Sequence, residues 1–144
     1  MSCGLPAGIG AKIARPDCLV VDIDGDTSFS MTLAKYATMA EHKIAVEELL
    51  FNNDELGMVS DLHSLYYAGG FSHNCVVNLD FIRFSEAFGV AAARLVVLKK
   101  IEKRLNWLSY HDGPALLEVV SVKDVPMWPV VPAGSRSPES NQNV

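Results

Sequence analysis

Oxygen-bearing side chains cluster at the ends of two apolar runs in this chain. The first run ends in the segment 22–28, which reads Asp-Ile-Asp-Gly-Asp-Thr-Ser, and the second ends in Asn-Asn-Asp-Glu at 52–55. A buried parallel strand has this pattern when it delivers ligands at its C-terminal tip. Carboxylate and amide oxygens, with water and the phosphates of a ligand, are the ligands that Mg²⁺ prefers. The sequence therefore predicts a Mg²⁺ site at which Asp26 and Asn53 face a common point.

The elements that must position these residues alternate between strands and helices. About one helix and one strand separate the two clusters, which is the length of a right-handed crossover to a neighbouring strand. The two tips should therefore lie side by side. The alternation predicts an α/β fold, an open and mostly parallel sheet flanked by helices. The strands are expected at 18–23, 44–51, 93–98 and 115–122, and the helices at 4–15, 28–41, 58–67, 78 or 80 to 88, and 99–111.

Two of these elements carry more detailed expectations. Ser28 is a plausible N-cap for the helix that ends near Glu41. The candidate buried positions of this helix are Met31, Ala34, Tyr36 and Met39. Glu47 and Glu48 put one charge on each face of the second strand, and buried charges without partners are costly. We expect that strand either to be poorly covered or to have drifted in sequence.

Composition excludes several classes of protein. The chain has 144 residues and a net charge of −5, without a basic stripe, so nucleic-acid binding is not expected. No apolar run reaches the length of a membrane span. The three cysteines are isolated, which favours a reducing, intracellular setting. We expect one domain over residues 1–124 and an irregular, Pro/Ser/Asn-rich tail over residues 125–144.

The ordered motifs of the chain resemble a known family. Gly25-Asp26-Thr27 followed by Asn52-Asn53 is similar to the signature of thiamine diphosphate enzymes, in which a Gly-Asp-small triplet precedes an Asn pair. The wider sequence resembles the catalytic subunit of acetohydroxyacid synthase (acetolactate synthase), closest to the fungal enzymes. That resemblance covers residues 1–134 and is carried by the segments 4–11, 21–26, 29–33, 52–59, 64–67 and 125–134.

The resemblance implies a set of binding residues. Mg²⁺ would be held by the carboxylate of Asp26, the amide oxygen of Asn53 and the backbone carbonyl of Glu55. Gly25 would allow close approach of the backbone, and the amides of Thr27 and Ser28 would face the diphosphate. The complete set of implied cofactor residues is Met1, Gly25, Asp26, Thr27, Ser28, Asn53, Glu55, Gly57, Met58 and Val59.

One position that departs from the family lies at the mouth of the substrate channel. Leu62 stands where the family carries a Trp to which sulfonylurea and imidazolinone herbicides bind, so an enzyme with Leu62 should resist them. Two further departures, Lys35 for the usual Glu and Glu47-Glu48 for apolar strand residues, change the surroundings of the metal site. We expect them to weaken cofactor affinity.

The resemblance also implies a reaction and what it requires. The family condenses two pyruvates, or pyruvate and 2-oxobutyrate, with loss of CO₂, on the route to the branched-chain amino acids. A Glu from a pyrimidine-binding domain of the partner subunit and an FAD-carrying middle domain belong to the complete enzyme. Neither domain lies in this sequence, which begins at what resembles an internal Met, so no catalytic residue is assigned here. Alone, the chain should be inactive, and we expect it to pair with a pyrimidine-binding domain or to form a homo-oligomer. Its compartment would be the mitochondrion in a fungus, the plastid in a plant and the cytoplasm in a bacterium.

Other interpretations stay open from the residues alone. The chain could be a non-catalytic remnant or an interaction module. Asp22 and Asp24 also resemble the start of haloacid-dehalogenase-type phosphatases. Those enzymes place a Thr directly after the Gly of this motif, whereas here Asp26 separates Gly25 from Thr27. An EF-hand is excluded, because its Gly and final Glu positions hold Thr27 and Leu33.

Overall fold

A computed structural model describes residues 1–67, 70, 72–123 and 125. Its strands are β1 (Val21–Gly25), β2 (Glu47–Asn52), β3 (Ala91–Leu95) and β4 (Ala115–Val120). Its helices are α1 (Gly4–Ala14), α2 (Asp26–Ser30), α3 (Lys35–Glu41), α4 (Gly57–Tyr66), α5 (Phe81–Ala87) and α6 (Ile101–Ser109), the last preceded by a 3-10 turn at Leu98–Lys100. The expected tail and the boundary before it lie outside the described residues, apart from Val125.

The four strands form one parallel sheet in the order β1-β2-β4-β3. Helices connect the strands, as parallel pairing requires. Gly25 at the end of β1 is in register with Phe51 near the end of β2, so the two polar tips are neighbours. The α/β fold class and the adjacency of the tips are therefore confirmed.

Apolar side chains pack against both faces of the sheet, although one face of β1 stays exposed. One face packs an aromatic cluster of Phe29, Tyr36 and Phe81 against Leu50 and Leu116, with Phe29 edge-on to both other rings. Edge-to-face packing of this kind adds to simple burial. The opposite face packs Leu108 of α6 against Leu95, Ala93, Ala115 and Leu117. No helix in the described part of the chain is long and apolar enough to cross a membrane.

The prediction of a single helix over residues 28–41 is wrong. Two short helices, α2 and α3, replace it, and the N-cap of α2 is Gly25 rather than Ser28. Between them, the hydroxyl of Ser30 donates to the Asp26 carbonyl and that of Thr32 donates to the Phe29 carbonyl. Such side-chain bonds compete with the helical ladder. The backbone N–H groups of Met31 and Thr32 bond three residues back instead of four, where the regular helix ends. Tyr36 and Met39 are buried as expected, whereas Met31 and Ala34 are exposed.

The other elements match their expected positions with shifted ends. Asp80 is the N-cap of α5, and its carboxylate accepts from the backbone N–H of Ile82. Gly89 follows α5 with a φ of 71°, a conformation that suits glycine at a helix C-terminus. Strand β3 begins and ends earlier than expected, because the chain leaves the sheet after Leu95 and enters the 3-10 turn that opens α6.

The strand is covered where Glu47 and Glu48 lie, so the expectation of poor cover at these two residues is wrong. Glu47 and Glu48 are 3% and 0% exposed. Glu48 is the register partner of Asp22, on the face that α1 covers. Burial raises the pKa of both glutamates, that of Glu48 to about 10. Glu48 is therefore a neutral acid at pH 7, which explains how a buried strand accommodates it.

Candidate functional site

A cleft of about 340 Å³ opens at the C-terminal ends of β1 and β2. Ligands of open α/β sheets bind beyond this edge. Every residue that the sequence assigned to cofactor binding lines the cleft, together with three residues that it did not assign, Phe51, Leu56 and Ser121. The structure thus brings all of the predicted positions to one place, from the first residue, the β1–α2 junction and the β2–α4 turn.

Asp26 is the buried carboxylate at the floor of this cleft. It begins α2, directly after β1, and is 2% exposed. Its Oδ1 accepts from the backbone N–H of Thr27 at 2.7 Å, and its Oδ2 accepts from the side-chain amide of Asn78 at 2.7 Å. N–H donors thus fix the positions of both carboxylate oxygens.

The two asparagines at the end of β2 point in different directions. Asn53 lines the cleft, and its side-chain oxygen accepts from the backbone N–H of Glu55 at 3.2 Å. Asn52 instead donates to Glu118 at 2.8 Å, and its oxygen accepts from the backbone N–H of Asp54 at 3.1 Å. Successive residues of a strand face opposite sides. Only Asn53 of this pair therefore lines the cleft.

The carboxylate of Glu55 is engaged with neighbouring side chains. It accepts a hydrogen bond from the Ser60 hydroxyl and another from the amide of Asn74 at 3.3 Å. Glu55 is 5% exposed and forms an isolated antiparallel bridge with Cys75. These contacts suit an expected role for its backbone carbonyl better than a role for its carboxylate.

Apolar side chains form the outer wall of the cleft. Met1, Met58 and Val59 line it, and Met1 and Met58 are largely exposed. The segment that carries Met1 is fixed to α2, because the backbone N–H of Ser2 donates to the Ser28 hydroxyl at 2.9 Å. Leu62 lies further along α4, is 44% exposed and is not among the cleft residues.

Asn78 is a site residue that sequence reasoning missed. The sequence suggested it only as a possible helix cap, yet its amide nitrogen lies 2.7 Å from Asp26 and 3.0 Å from the side-chain oxygens of both Asn52 and Asp54. The separation of 52 residues between Asn78 and Asp26 gives no local pattern that could reveal this contact.

The donor set fits a cation that arrives with a phosphorylated ligand. Among the described residues, no group of three or more His, Cys, Asp or Glu side chains could hold a metal ion. In the described part of the chain, two carboxylates line the cleft, those of Asp26 and Glu55, and the Glu55 carboxylate is engaged by Ser60. An ion here would need amide and carbonyl oxygens and oxygens of the ligand, which is a usual environment for Mg²⁺.

Asp22 does not belong to this cleft. It is 9% exposed and lies under α1, where a Cβ at Gly4 would be 2.5 Å from its Oδ1. A phosphatase nucleophile must reach its substrate, and this carboxylate is covered by a helix. The structure therefore gives no support to the phosphatase interpretation.

Comparison with known proteins shows the family of this chain. Residues 1–119 match the family described as thiamine pyrophosphate enzyme, C-terminal TPP binding domain. The chain belongs to this family. It is 48% identical over 134 residues to the mitochondrial acetolactate synthase catalytic subunit of Aspergillus candidus. The matched region covers 93% of this chain and 19% of that protein.

More distant relatives are also acetolactate synthase subunits. The mitochondrial acetolactate synthase catalytic subunit of Saccharomyces cerevisiae is 42% identical over 135 residues, covering 94% of this chain and 20% of that protein. The large subunit of acetolactate synthase isozyme 2 of Escherichia coli is 34% identical over 140 residues, covering 96% of this chain and 26% of that protein. This TPP-binding domain thus spans about a fifth to a quarter of the length of these relatives.

Proposed function

We propose that this chain binds thiamine diphosphate together with Mg²⁺ in the cleft beyond β1 and β2. The observation that carries the proposal is the buried Asp26 carboxylate, fixed by two N–H donors at the floor of a cleft that collects every predicted cofactor residue. Membership of a family named for TPP binding supports the same ligand.

Each part of the cleft has a distinct task in this proposal. Asp26, Asn53 and the backbone carbonyl of Glu55 would hold Mg²⁺, whose remaining ligands come from the diphosphate and water. Gly25, Thr27 and Ser28 would lie against the diphosphate, and Gly57 would let the β2–α4 turn approach it. Met1, Met58 and Val59 would contact the thiamine rings. When bound, thiamine diphosphate supplies an electron sink for decarboxylation of a 2-oxo acid.

We further propose that the chain serves as the C-terminal domain of an acetolactate synthase. Its relatives bear that name, and it covers a small share of their length. The complete reaction would join two pyruvates, or pyruvate and 2-oxobutyrate, and would need a pyrimidine-binding domain from a partner. FAD would bind elsewhere in the complete enzyme. The fungal relatives are mitochondrial, and the same compartment is proposed for this chain if its source is fungal.

A calorimetric titration of thiamine diphosphate into the chain, with and without Mg²⁺, tests the binding proposal. We expect saturable binding that requires Mg²⁺ and is lost in Asp26→Asn, which removes the charge and keeps the shape. Asp17→Asn is the matched control, because Asp17 is exposed and pairs with Arg15 away from the cleft. A folded wild-type chain that binds nothing in the presence of Mg²⁺ would refute the proposal.

A second candidate function is a pairing module without catalysis. One observation favours it: the outer face of β1 exposes Val21 and Ile23, and the preceding Leu19 is also exposed. Apolar strand residues that face solvent are typical of a surface that another protein covers. Restoration of acetolactate formation by a separately purified pyrimidine-binding domain would favour the enzyme; stable pairing without turnover would favour the module.

A further inference from the structure

One amide nitrogen lies among three side-chain oxygens beside the cleft. Asn78 Nδ2 is 2.7 Å from Asp26 Oδ2, 3.0 Å from Asn52 Oδ1 and 3.0 Å from Asp54 Oδ1. An amide group carries two hydrogens, so it can serve these acceptors only by sharing. The three surrounding oxygens also fix the orientation of the amide, since its own oxygen would repel them.

The position of Asn78 offsets a repulsion that the backbone creates. Asp26 follows β1 and Asp54 follows β2, and the parallel register brings the two tips together. Two carboxylates that lie near each other repel through their like charges. Donation from Asn78 to both holds Asp26 in its observed place and draws Asp54 to the same point.

A chain of hydrogen bonds fixes Asn78 from the far edge of the sheet. Its acceptor Asn52 donates to Glu118 on β4 at 2.8 Å. The other oxygen of Glu118 accepts from Nε of Arg94 on β3 at 2.5 Å, and Arg94 also contacts Asp80, the cap of α5, at 3.1 Å. Asn78 lies two residues before Asp80, so both ends of this short segment are tied to the sheet.

We propose that Asn78 is a positioning residue that sets the Asp26 carboxylate for the divalent cation of the cofactor. This inference rests on the proposed function, because it assigns Asn78 a part in the Mg²⁺ site of that cleft. Asn78 itself does not line the cleft. It acts through Asp26: with Oδ2 held from behind by Asn78 and Oδ1 by Thr27, the carboxylate has one orientation to offer a cation.

The test separates cation affinity from stability. Thiamine diphosphate binding is measured by calorimetry at increasing MgCl₂ for wild type, Asn78→Ala and Asn106→Ala, the control being an exposed Asn on α6. Asn78→Ala should raise the half-saturating Mg²⁺ concentration about ten-fold, the effect of a lost hydrogen bond to a charged group. Thiamine diphosphate affinity at saturating Mg²⁺ should change far less, and Asn106→Ala should match wild type. A residue that only stabilises the fold would not shift the Mg²⁺ dependence selectively.

Asn78→Ser keeps a hydroxyl donor and guards against a variant that fails to fold. It should need less Mg²⁺ than Asn78→Ala, and circular dichroism and the thermal midpoint without ligand report whether each variant is folded. Wild-type and Asn78→Ala binding with the same Mg²⁺ dependence would overturn the role of Asn78 and leave the proposed function standing. Absence of binding in folded wild type would overturn both. Loss of folding in both Asn78 variants would assign Asn78 to stability and overturn the positioning role.

Discussion

Glu48 gives the sharpest test of the electrostatics in this fold. Its side chain is fully buried, and neither carboxylate oxygen accepts a hydrogen bond from the described residues; the carboxyl group lies beside that of Asp22, to which a protonated Glu48 can donate. Burial raises its pKa to about 10, and the neighbouring carboxylates of Asp22 and Asp24 act in the same direction. Tyr36, the other titratable group near it, is buried with a pKa that is also raised by burial. Glu48 is therefore neutral in the folded chain at pH 7.

The effect of the buried Glu48 on the free energy of unfolding follows from the ordinary pKa of a glutamate, 4.5. Between that pKa and about 10, the folded chain binds one more proton than the unfolded chain, so the free energy of unfolding falls as pH rises. The slope is about 1.4 kcal/mol per pH unit, and the loss at pH 7 is about 3 kcal/mol. This loss requires only that the folded pKa lies well above 7.

Glu48→Gln should remove this loss. Glutamine has the same shape, is neutral at every pH and can donate to Asp22, whose Oδ2 lacks a hydrogen-bond partner among the described residues. The variant should match wild type near pH 4.5 and exceed its stability by about 3 kcal/mol at pH 7. Urea unfolding followed by circular dichroism at several pH values between these limits measures the difference.

Exposed Glu86 provides the control, because Glu86→Gln should follow the wild-type curve at each pH. The reasoning is refuted if the wild-type and Glu48→Gln curves run parallel with pH, or if Glu48→Gln is the less stable protein at pH 7. Either result would mean that Glu48 is charged in the folded chain and has a partner.

Two further predictions concern stability. Arg94→Met should destabilise the chain by about 2 kcal/mol, because it removes the charged donor of the buried Glu118 carboxylate; a thermal midpoint equal to that of wild type would contradict this. Gly4→Ala should destabilise by about 1–3 kcal/mol, because its Cβ would lie 2.5 Å from Asp22 Oδ1. Gly10→Ala, whose Cβ enters open space in the same helix, should be neutral or stabilising by up to about 1 kcal/mol. Urea unfolding measures both variants, and an equal change in the free energy of unfolding for the two would disprove the close contact at Gly4.

The parallel sheet and the adjacency of its two polar strand ends were predictable because both follow from local pattern. Apolar runs that end in Asp26 and in Asn53 indicate strands with polar tips, and the interval between them allows one crossover. Parallel pairing then brings the tips to one edge, as Gly25 and Phe51 show. No residue outside these segments was needed for that inference.

The parts that could not be predicted depend on contacts distant in sequence. Asn78 reaches Asp26 only because the segment before α5 returns to the sheet edge. The burial of Glu48 depends on α1 covering that face, which neither the strand nor the helix reveals alone. After Ser30 the backbone N–H groups bond three residues back instead of four, as Thr32 does to Phe29, and the periodicity of apolar residues does not register this change.

Buried acidic side chains are stabilised in two different ways at the two ends of the sheet. At the C-terminal edge, Asp26 and Glu118 accept hydrogen bonds from Thr27, Asn78, Asn52 and Arg94. Nearer the N-terminal ends, Glu48 has no such donor among the described residues and keeps its proton instead. Two variants should distinguish the protonated acid from the hydrogen-bonded acids. Glu48→Gln should change the pH dependence of stability and leave the half-saturating Mg²⁺ concentration unchanged. Asn78→Ala should raise the half-saturating Mg²⁺ concentration and leave the pH dependence of stability unchanged, because it removes a donor at the cleft and leaves Glu48 in place.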